Sequence, residues 1–311
     1  MKALRQRALA AIAANREPGF HFAGNFCGVA FHREAGGSKV TLEPGAHCVD
    51  ADGQVNWGVM AMVADMALAA SIRAGLDPRT RLATVSMSLQ FTGAPRVGPM
   101  VGRGTAEGFF GGGDSRQGLA RVTVECGGTT IGFGHGAFMA LEPPPGIALF
   151  PLPGPDRLAA PPVPEAEFTP DELELLRHVD ATLGEQHARG DFIGHLFGYQ
   201  PRRTRTGATG ALRNGSHVAN RVGHVQGGIL MGFAAATAQA ALPHSWALAG
   251  ISACFVSPGQ GAVLHATSRV LHHGLMTSVV QTEITGANRR RILEAVTTHS
   301  RIVGNRDPES A

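Results

Sequence analysis

Residues 56–71 read NWGVMAMVADMALAAS, an almost unbroken apolar run with one carboxylate, Asp65, near its middle. An unpaired charge in apolar surroundings is costly, so such a group finds partners, shifts its pKa or serves a function. A carboxylate so placed offers a base or a nucleophile. Other chemistries find little support. The fourteen histidines include His272-His273 but no HExxH or comparable ligand spacing, so no metal site is expected. Cys27, Cys48, Cys126 and Cys254 are far apart and form no CxxC pair, which argues against a zinc site or a disulfide framework and for a reduced, cytoplasmic protein. The stretch GFFGGGDSRQG from Gly108 is glycine-rich but sits between strands, without the strand–loop–helix context of a phosphate loop, and reads as a flexible hairpin. A net charge of +3, scattered along the chain, is too weak and diffuse for a nucleic-acid surface.

The elements that must hold Asp65 follow from periodicity and punctuation. At 311 residues, two domains are the prior expectation. The opening MKALRQRALAAIAANREPG has a short, alanine-dominated apolar stretch soon followed by Arg16 and Glu17, so it reads as an amphipathic surface helix rather than a signal peptide. No segment offers the ~18 uncharged apolar residues of a membrane span, because Asp65 interrupts the best one. Residues 142–165, EPPPGIALFPLPGPDRLAAPPVPE, carry too many prolines for helix or central strand and read as a linker or surface strap.

The same order of elements stands on both sides of that strap. Before it come a strand pair around a Gly-Gly turn, a buried helix over about 57–74, and four alternating runs from Leu82 to Leu141. After it, TPDELELLRHVDATLGEQ begins with a capping signal and reads as an amphipathic helix. A strand region from Phe192 to Leu212, a second buried helix GGILMGFAAATAQAAL, and four more strands from Trp246 to Ile302 follow. Each buried helix begins at a glycine, and in each half a phenylalanine on the next strand precedes a proline turn, Phe91 with Pro95 and Phe255 with Pro258. A helix that is apolar all round must be wrapped, and an antiparallel sheet curled around it does so.

This plan resembles the hotdog fold, and the helix openings resemble acyl-CoA thioesterases of the phenylacetate-degradation type. In that family Asn, five residues, His-Gly-Gly and an acid seven residues further on introduce the helix. The resemblance implies an α+β chain of two tandem hotdog domains, 1–142 and 166–311, joined by the linker 143–165 and paired as an intramolecular pseudo-dimer. Neither half carries the whole motif. In the first, Trp57-Gly58 takes the Gly-Gly place, Asp65 is the acid, Asn56 stands for the His and Asp50 for the Asn. In the second, Asn220 matches the Asn and Gln226-Gly227-Gly228 matches His-Gly-Gly, but the acid position is Ala235.

The family's site lies between two hotdogs, one giving the acid and the other the Asn and the helix-start backbone. The resemblance therefore implies one composite site, Asp65 facing Asn220, Gln226, Gly227 and Gly228, and a mate in which Ala235 faces Asp50 and Asn56. Free N–H groups at a helix start carry the positive end of its dipole, so Gly227 or Gly228 suits an oxyanion hole. Gln226 can donate a hydrogen bond but cannot titrate. Asp65 would be general base or nucleophile, with Thr84 or Ser86 as the assisting hydroxyl and Asn56 and Gly58 as further substrate-binding positions. His224 is either a loop histidine or a ligand contact. The clusters Arg202-Arg203-Arg205 and Arg289-Arg290-Arg291 are either solvated strand ends or contacts to coenzyme A phosphates. The expected substrate is an acyl-CoA, with coenzyme A as part of it, no separate cofactor, and a second copy of the double unit as the expected partner. The alternatives are a catalytically silent acyl-CoA-binding module or sensor and, with less support, a hotdog enoyl-CoA hydratase, whose GDxNPxH-like helix opening is absent.

Overall fold

Two apolar helices, one per half, organise the chain. The computed structural model describes residues 1–302 except 78, 113–115, 143–144, 148–151, 157–159 and 187–190. The first half comprises α1 (Lys2–Arg16), α2 (Phe22–Cys27), β1 (Ala30–Glu34), β2 (Gly37–Leu42), α3 (Trp57–Arg73), β3 (Arg81–Phe91), β4 (Met100–Phe110), β5 (Gln117–Cys126) and β6 (Thr129–Leu141). The second half repeats the order with α4 (Pro170–Gln186), α5 (Phe192–Leu196), β7 (Arg202–Arg203), β8 (Gly207–Arg213), α6 (Gly227–Ala240), β9 (Trp246–Phe255), β10 (Val263–His273), β11 (Thr277–Thr285) and β12 (Arg291–Arg301).

Among the described residues all strands join one 12-stranded antiparallel sheet ordered β1-β2-β4-β5-β6-β3-β9-β12-β11-β10-β8-β7, which reads alike from either edge. Its midline is the β3–β9 pair. There Ser88 lies opposite Ser252, and their hydroxyls meet at 3.0 Å. The helices α3 and α6 pack against each other and against the sheet, and most residues of both are buried.

Small residues allow the helices to approach. A Cβ on Gly228 would collide with the Met62 backbone, and one on Gly232 with the backbone of Gly58. Gly58 and Gly228 hold matching places in the two halves, as do Met62 and Gly232, so these are the two symmetry-related versions of one contact. Glycine is required here by proximity, since no other residue brings two helix backbones so close.

Helix α1 buries the face Leu4, Ala8, Ala11 and Ile12, and ion pairs from Arg5 to Asp180 (2.9 Å) and from Arg16 to Glu172 (2.7 Å) tie it to α4. The start of α4 is a capping box, in which Glu172 accepts from the Thr169 N–H and its own N–H donates to the Thr169 hydroxyl. The predicted strand region from Phe192 needs correction. Residues 192–196 form a short helix capped by Asp191, whose carboxylate accepts from the Gly194 N–H at 3.0 Å, and pairing begins only at Arg202. Five residues cannot display a 3.6-residue period, so the apolar Phe192-Ile193 pair passes for a strand. Its counterpart α2 escapes notice for the same reason.

Parts of the Pro-rich strap and the tip of the predicted glycine hairpin, 113–115, lie outside the described residues. Where the strap is described, Pro153 accepts a hydrogen bond from the Phe31 N–H (2.8 Å) on the edge strand β1. Among the described residues no helix is long and apolar enough to cross a membrane.

Candidate functional site

Asp65 sits at the middle of α3 and is 6% exposed. Both carboxylate oxygens are engaged. The Thr84 hydroxyl on β3 donates to Oδ1 at 2.9 Å, and the Gln226 side-chain amide, from the other half of the chain, donates to Oδ2 at 2.6 Å. Desolvation by burial raises the carboxyl pKa to about 6, and the two hydrogen bonds hold it from going further. The group is therefore mostly ionised at neutral pH yet basic enough to take a proton from water.

Gln226 is placed by its second task. As N-cap of α6 its Oε1 accepts from the Ile229 N–H at 2.9 Å, which turns the NH₂ end toward Asp65. The Leu230 N–H is taken by the Gln226 carbonyl in the first helical turn. The N–H groups of Gly227 and Gly228 are left, among the described residues, without a helical or capping acceptor. The structure separates these two glycines. Gly227 lies in the wall beside Asp65, where an added Cβ would stand 3.4 Å from the carboxylate and 3.0 Å from the Thr84 hydroxyl. Gly228 is turned to the helix crossing against Met62 and does not line the cavity.

A cavity of ≈ 430 Å³ opens from this point and is lined by both halves. Asp65 and Thr84 form one side; Asn220, His224, Gln226 and Gly227 form the other. Asn220 shapes its loop, accepting from the N–H groups of Val222 (3.0 Å) and His224 (3.1 Å). His224 is on the rim, its Nδ1 3.4 Å from the Arg81 guanidinium and its Nε2 2.7 Å from the Gln260 amide. Burial and then the Arg81 charge lower its pKa.

The mate of this site is filled. Asn56 caps α3 by accepting from the Gly58 N–H (2.8 Å), and its NH₂ group donates to Asp50 at 2.6 Å. Trp57, in the place of Gly227, is packed between the Phe91 ring (centroids 4.6 Å apart) and the Arg96 guanidinium (3.7 Å). Gly58 is blocked by the Tyr199 ring and hydroxyl. Asn56 and Gly58, candidates from their place in the motif, do not line this cavity and hold capping and packing positions.

Thr84 and Ser86 also part company. Val85 is a bulge between them, so Thr84 pairs with the inward Phe138 while Ser86 pairs with Ala137 on the opposite face. Ser86 does not line the cavity. Neither do the two arginine clusters: Arg202 and Arg203 lie on the far edge strand, and Arg291 is paired with Glu283 at 2.6 Å. The arginines that do line it, Arg73 and Arg81, and the histidine His21, carry no sequence signal, since only the folded chain brings them there. Among the described residues no group of three or more His, Cys, Asp or Glu is placed to hold a metal.

No protein-family model matches the sequence, and no curated protein matches it. Solved structures do. A conserved protein of unknown function from Alicyclobacillus acidocaldarius, described with the hot dog fold, superimposes with a TM-score of 0.52 at 10% identity over 88% of this chain and 95% of its own. A protein from Lactobacillus plantarum, provisionally assigned as an oleoyl thioesterase, does so with a TM-score of 0.52 at 11% identity over 85% and 95%. Another from Novosphingobium aromaticivorans, provisionally assigned as a thioesterase, gives 0.50 at 16% identity over 87% and 98%. This chain has the hotdog fold. At such identities the likeness concerns the fold, and the activity has to be argued from the site.

Proposed function

We propose that the chain is a tandem double hotdog, with domains 1–142 and 166–311 joined by the strap 143–165 and paired as an intramolecular pseudo-dimer, and that it hydrolyses an acyl-CoA thioester at one composite site. The observation that carries this reading is the Asp65 carboxylate, held from across the two halves by Gln226, next to a helix start whose Gly227 N–H has no acceptor among the described residues. A thioester carbonyl seated between them would direct its oxygen to that N–H, where the helix dipole adds to the stabilisation of developing negative charge. Asp65 removes a proton from water as the water oxygen bonds to the carbonyl carbon. The tetrahedral intermediate collapses by breaking the carbon–sulfur bond, and the thiolate of coenzyme A takes up the proton from Asp65. Direct attack by Asp65 would instead pass through an anhydride that water opens. Asn220 orients the 220–228 segment, and Arg81 with His224 flanks the way out for the coenzyme A arm.

A second reading, a silent acyl-CoA-binding module, is favoured by one observation: both oxygens of Asp65 already accept hydrogen bonds, and Gln226 cannot titrate. Each carboxylate oxygen has a further lone pair, so one bond apiece leaves room for water. Steady-state hydrolysis across acyl-CoAs of varied length and aromatic content separates the two. Turnover that Asp65→Asn abolishes supports the enzyme, and binding without turnover supports the module.

A further inference from the structure

The cavity has a polar rim and a buried lining. On the rim Val256 is 57% exposed and Arg81 and His224 are half-buried, so the long thiol arm of a substrate has to leave there. Phe20 and His21, at the junction of α1 and α2, and Met66 of α3 belong to the cavity's buried lining. Arg221 fixes that junction by donating to the carbonyls of Asn15 and Glu17 at the end of α1. With the carbonyl at Asp65 and the thiol arm directed outward, the acyl group is left to the buried lining, to which Phe20 and His21 belong.

His21 does something there that its apolar neighbours cannot. It is the N-cap of α2, its Nδ1 accepting from the Gly24 N–H at 3.2 Å, so the proton of the neutral ring is on Nε2. The residue is 7% exposed and lines the cavity, and among the described residues nothing accepts from Nε2. Nε2 is not among the fully enclosed unpartnered atoms, so it can be reached from the cavity, and an oxygen brought by the ligand is its natural complement. The cap alone does not call for histidine: the matching helix α5 is capped by Asp191.

Resting on the thioesterase reading, we propose that His21 is a specificity residue and that the preferred acyl group carries a hydroxyl or carbonyl oxygen beyond the thioester, bound by the Nε2–H. A site built to hydrogen-bond a substrate oxygen discriminates strongly against the analogue that lacks it. The same N–H could meet an amide carbonyl of the pantetheine arm, which all acyl-CoAs share, and the test separates these sources.

The experiment compares kcat/KM for a hydroxyacyl-CoA, an oxoacyl-CoA and the unsubstituted acyl-CoA of equal length, with the wild-type protein, His21→Ser and His21→Asp. Both substitutions keep an acceptor for the Gly24 N–H, and His21→Asp copies the cap of the other half. The expected result is a wild-type preference of about tenfold or more for an oxygenated chain, lost in both variants while the unsubstituted substrate changes little. No wild-type preference, or an equal loss on all three substrates, overturns the proposal; the equal loss assigns Nε2 to the pantetheine arm or to packing. Calorimetric affinities of the same three thioesters for Asp65→Asn protein give a readout independent of turnover. If nothing is hydrolysed but the affinity ratio stands, the enzyme reading falls and the recognition by His21 survives. If the ratio is absent, the recognition falls on its own.

Discussion

The two helix starts occupy equivalent places, yet one borders a cavity and the other is plugged. At the start of α6, Gly227 leaves space in front of Asp65. At the start of α3, Trp57 is packed against Phe91 and Arg96, and the position that matches Asp65 in the second half is Ala235. The acid and the open space occur together in one half and are both absent from the matching place in the other. A buried carboxylate facing a plugged site would bear the desolvation cost with nothing gained, so removing it where the tryptophan sits is stabilising. The difference teaches that two halves with the same order of elements can hold an open cavity at one helix start and packed side chains at the other.

The largest expected effect comes from removing the acid. Asp65→Asn should lower kcat by about 10²–10⁴-fold, the range for loss of a general base, as read by steady-state hydrolysis. Its stability should move the other way. The folded pKa of about 6 exceeds the unfolded value of about 3.9. The folded state therefore binds the proton more tightly, and stability falls as pH rises from about 4 through about 6. The variant is freed of this cost, at most about 3 kcal/mol at neutral pH, so it should melt no lower than wild type at pH 7.5, with the advantage gone below pH 4. A variant that melts well below wild type at pH 7.5 would mean that Asp65 is a structural anchor.

Gly227→Trp copies the plugged half onto the open one. An indole directed at Thr84 and Asp65 should reduce kcat/KM by about 10²-fold or more, since small displacements of reacting groups already cost that much. Activity near wild type would detach the cavity from the chemistry. Gln226→Leu sharpens the comparison through pH. Wild-type kcat/KM should rise with pH through about 6 as Asp65 loses its proton. Without the Gln226 hydrogen bond, which holds the pKa down, the rise should shift to higher pH and leave about tenfold less activity at pH 6.5. An unmoved profile would show that another group titrates. The smallest effect belongs to the plugged half. Asp50→Asn should change turnover by less than about threefold, as for a site remote from the chemistry, although burial raises the Asp50 pKa to about 6 as well.

Much of the architecture is legible in the chain because its elements are long: the buried helices, the amphipathic α4 and the eight meander strands all span enough residues to show their period. The short helices α2 and α5 do not. The Asp65–Gln226–Gly227 arrangement can be read only by setting one half against the other, since each half keeps a different part of the motif. Thr84 and Ser86 could not be told apart, because alternation puts them on one face and a single bulged residue, Val85, undoes it. Gly228 matched the motif, but its place is set by Met62 on another helix. His21, Arg81 and the Trp57–Arg96 stack reflect tertiary proximity, for which no local pattern exists.

One titration bears on the whole of this comparison. A non-hydrolysable acyl-CoA analogue, titrated calorimetrically into wild-type protein and into Gly227→Trp, counts the sites directly. One molecule bound per chain, with binding lost in Gly227→Trp, is the expected result. Two equivalent molecules per chain, or one whose binding survives the tryptophan, would contradict a single composite site built on Asp65 and Gly227.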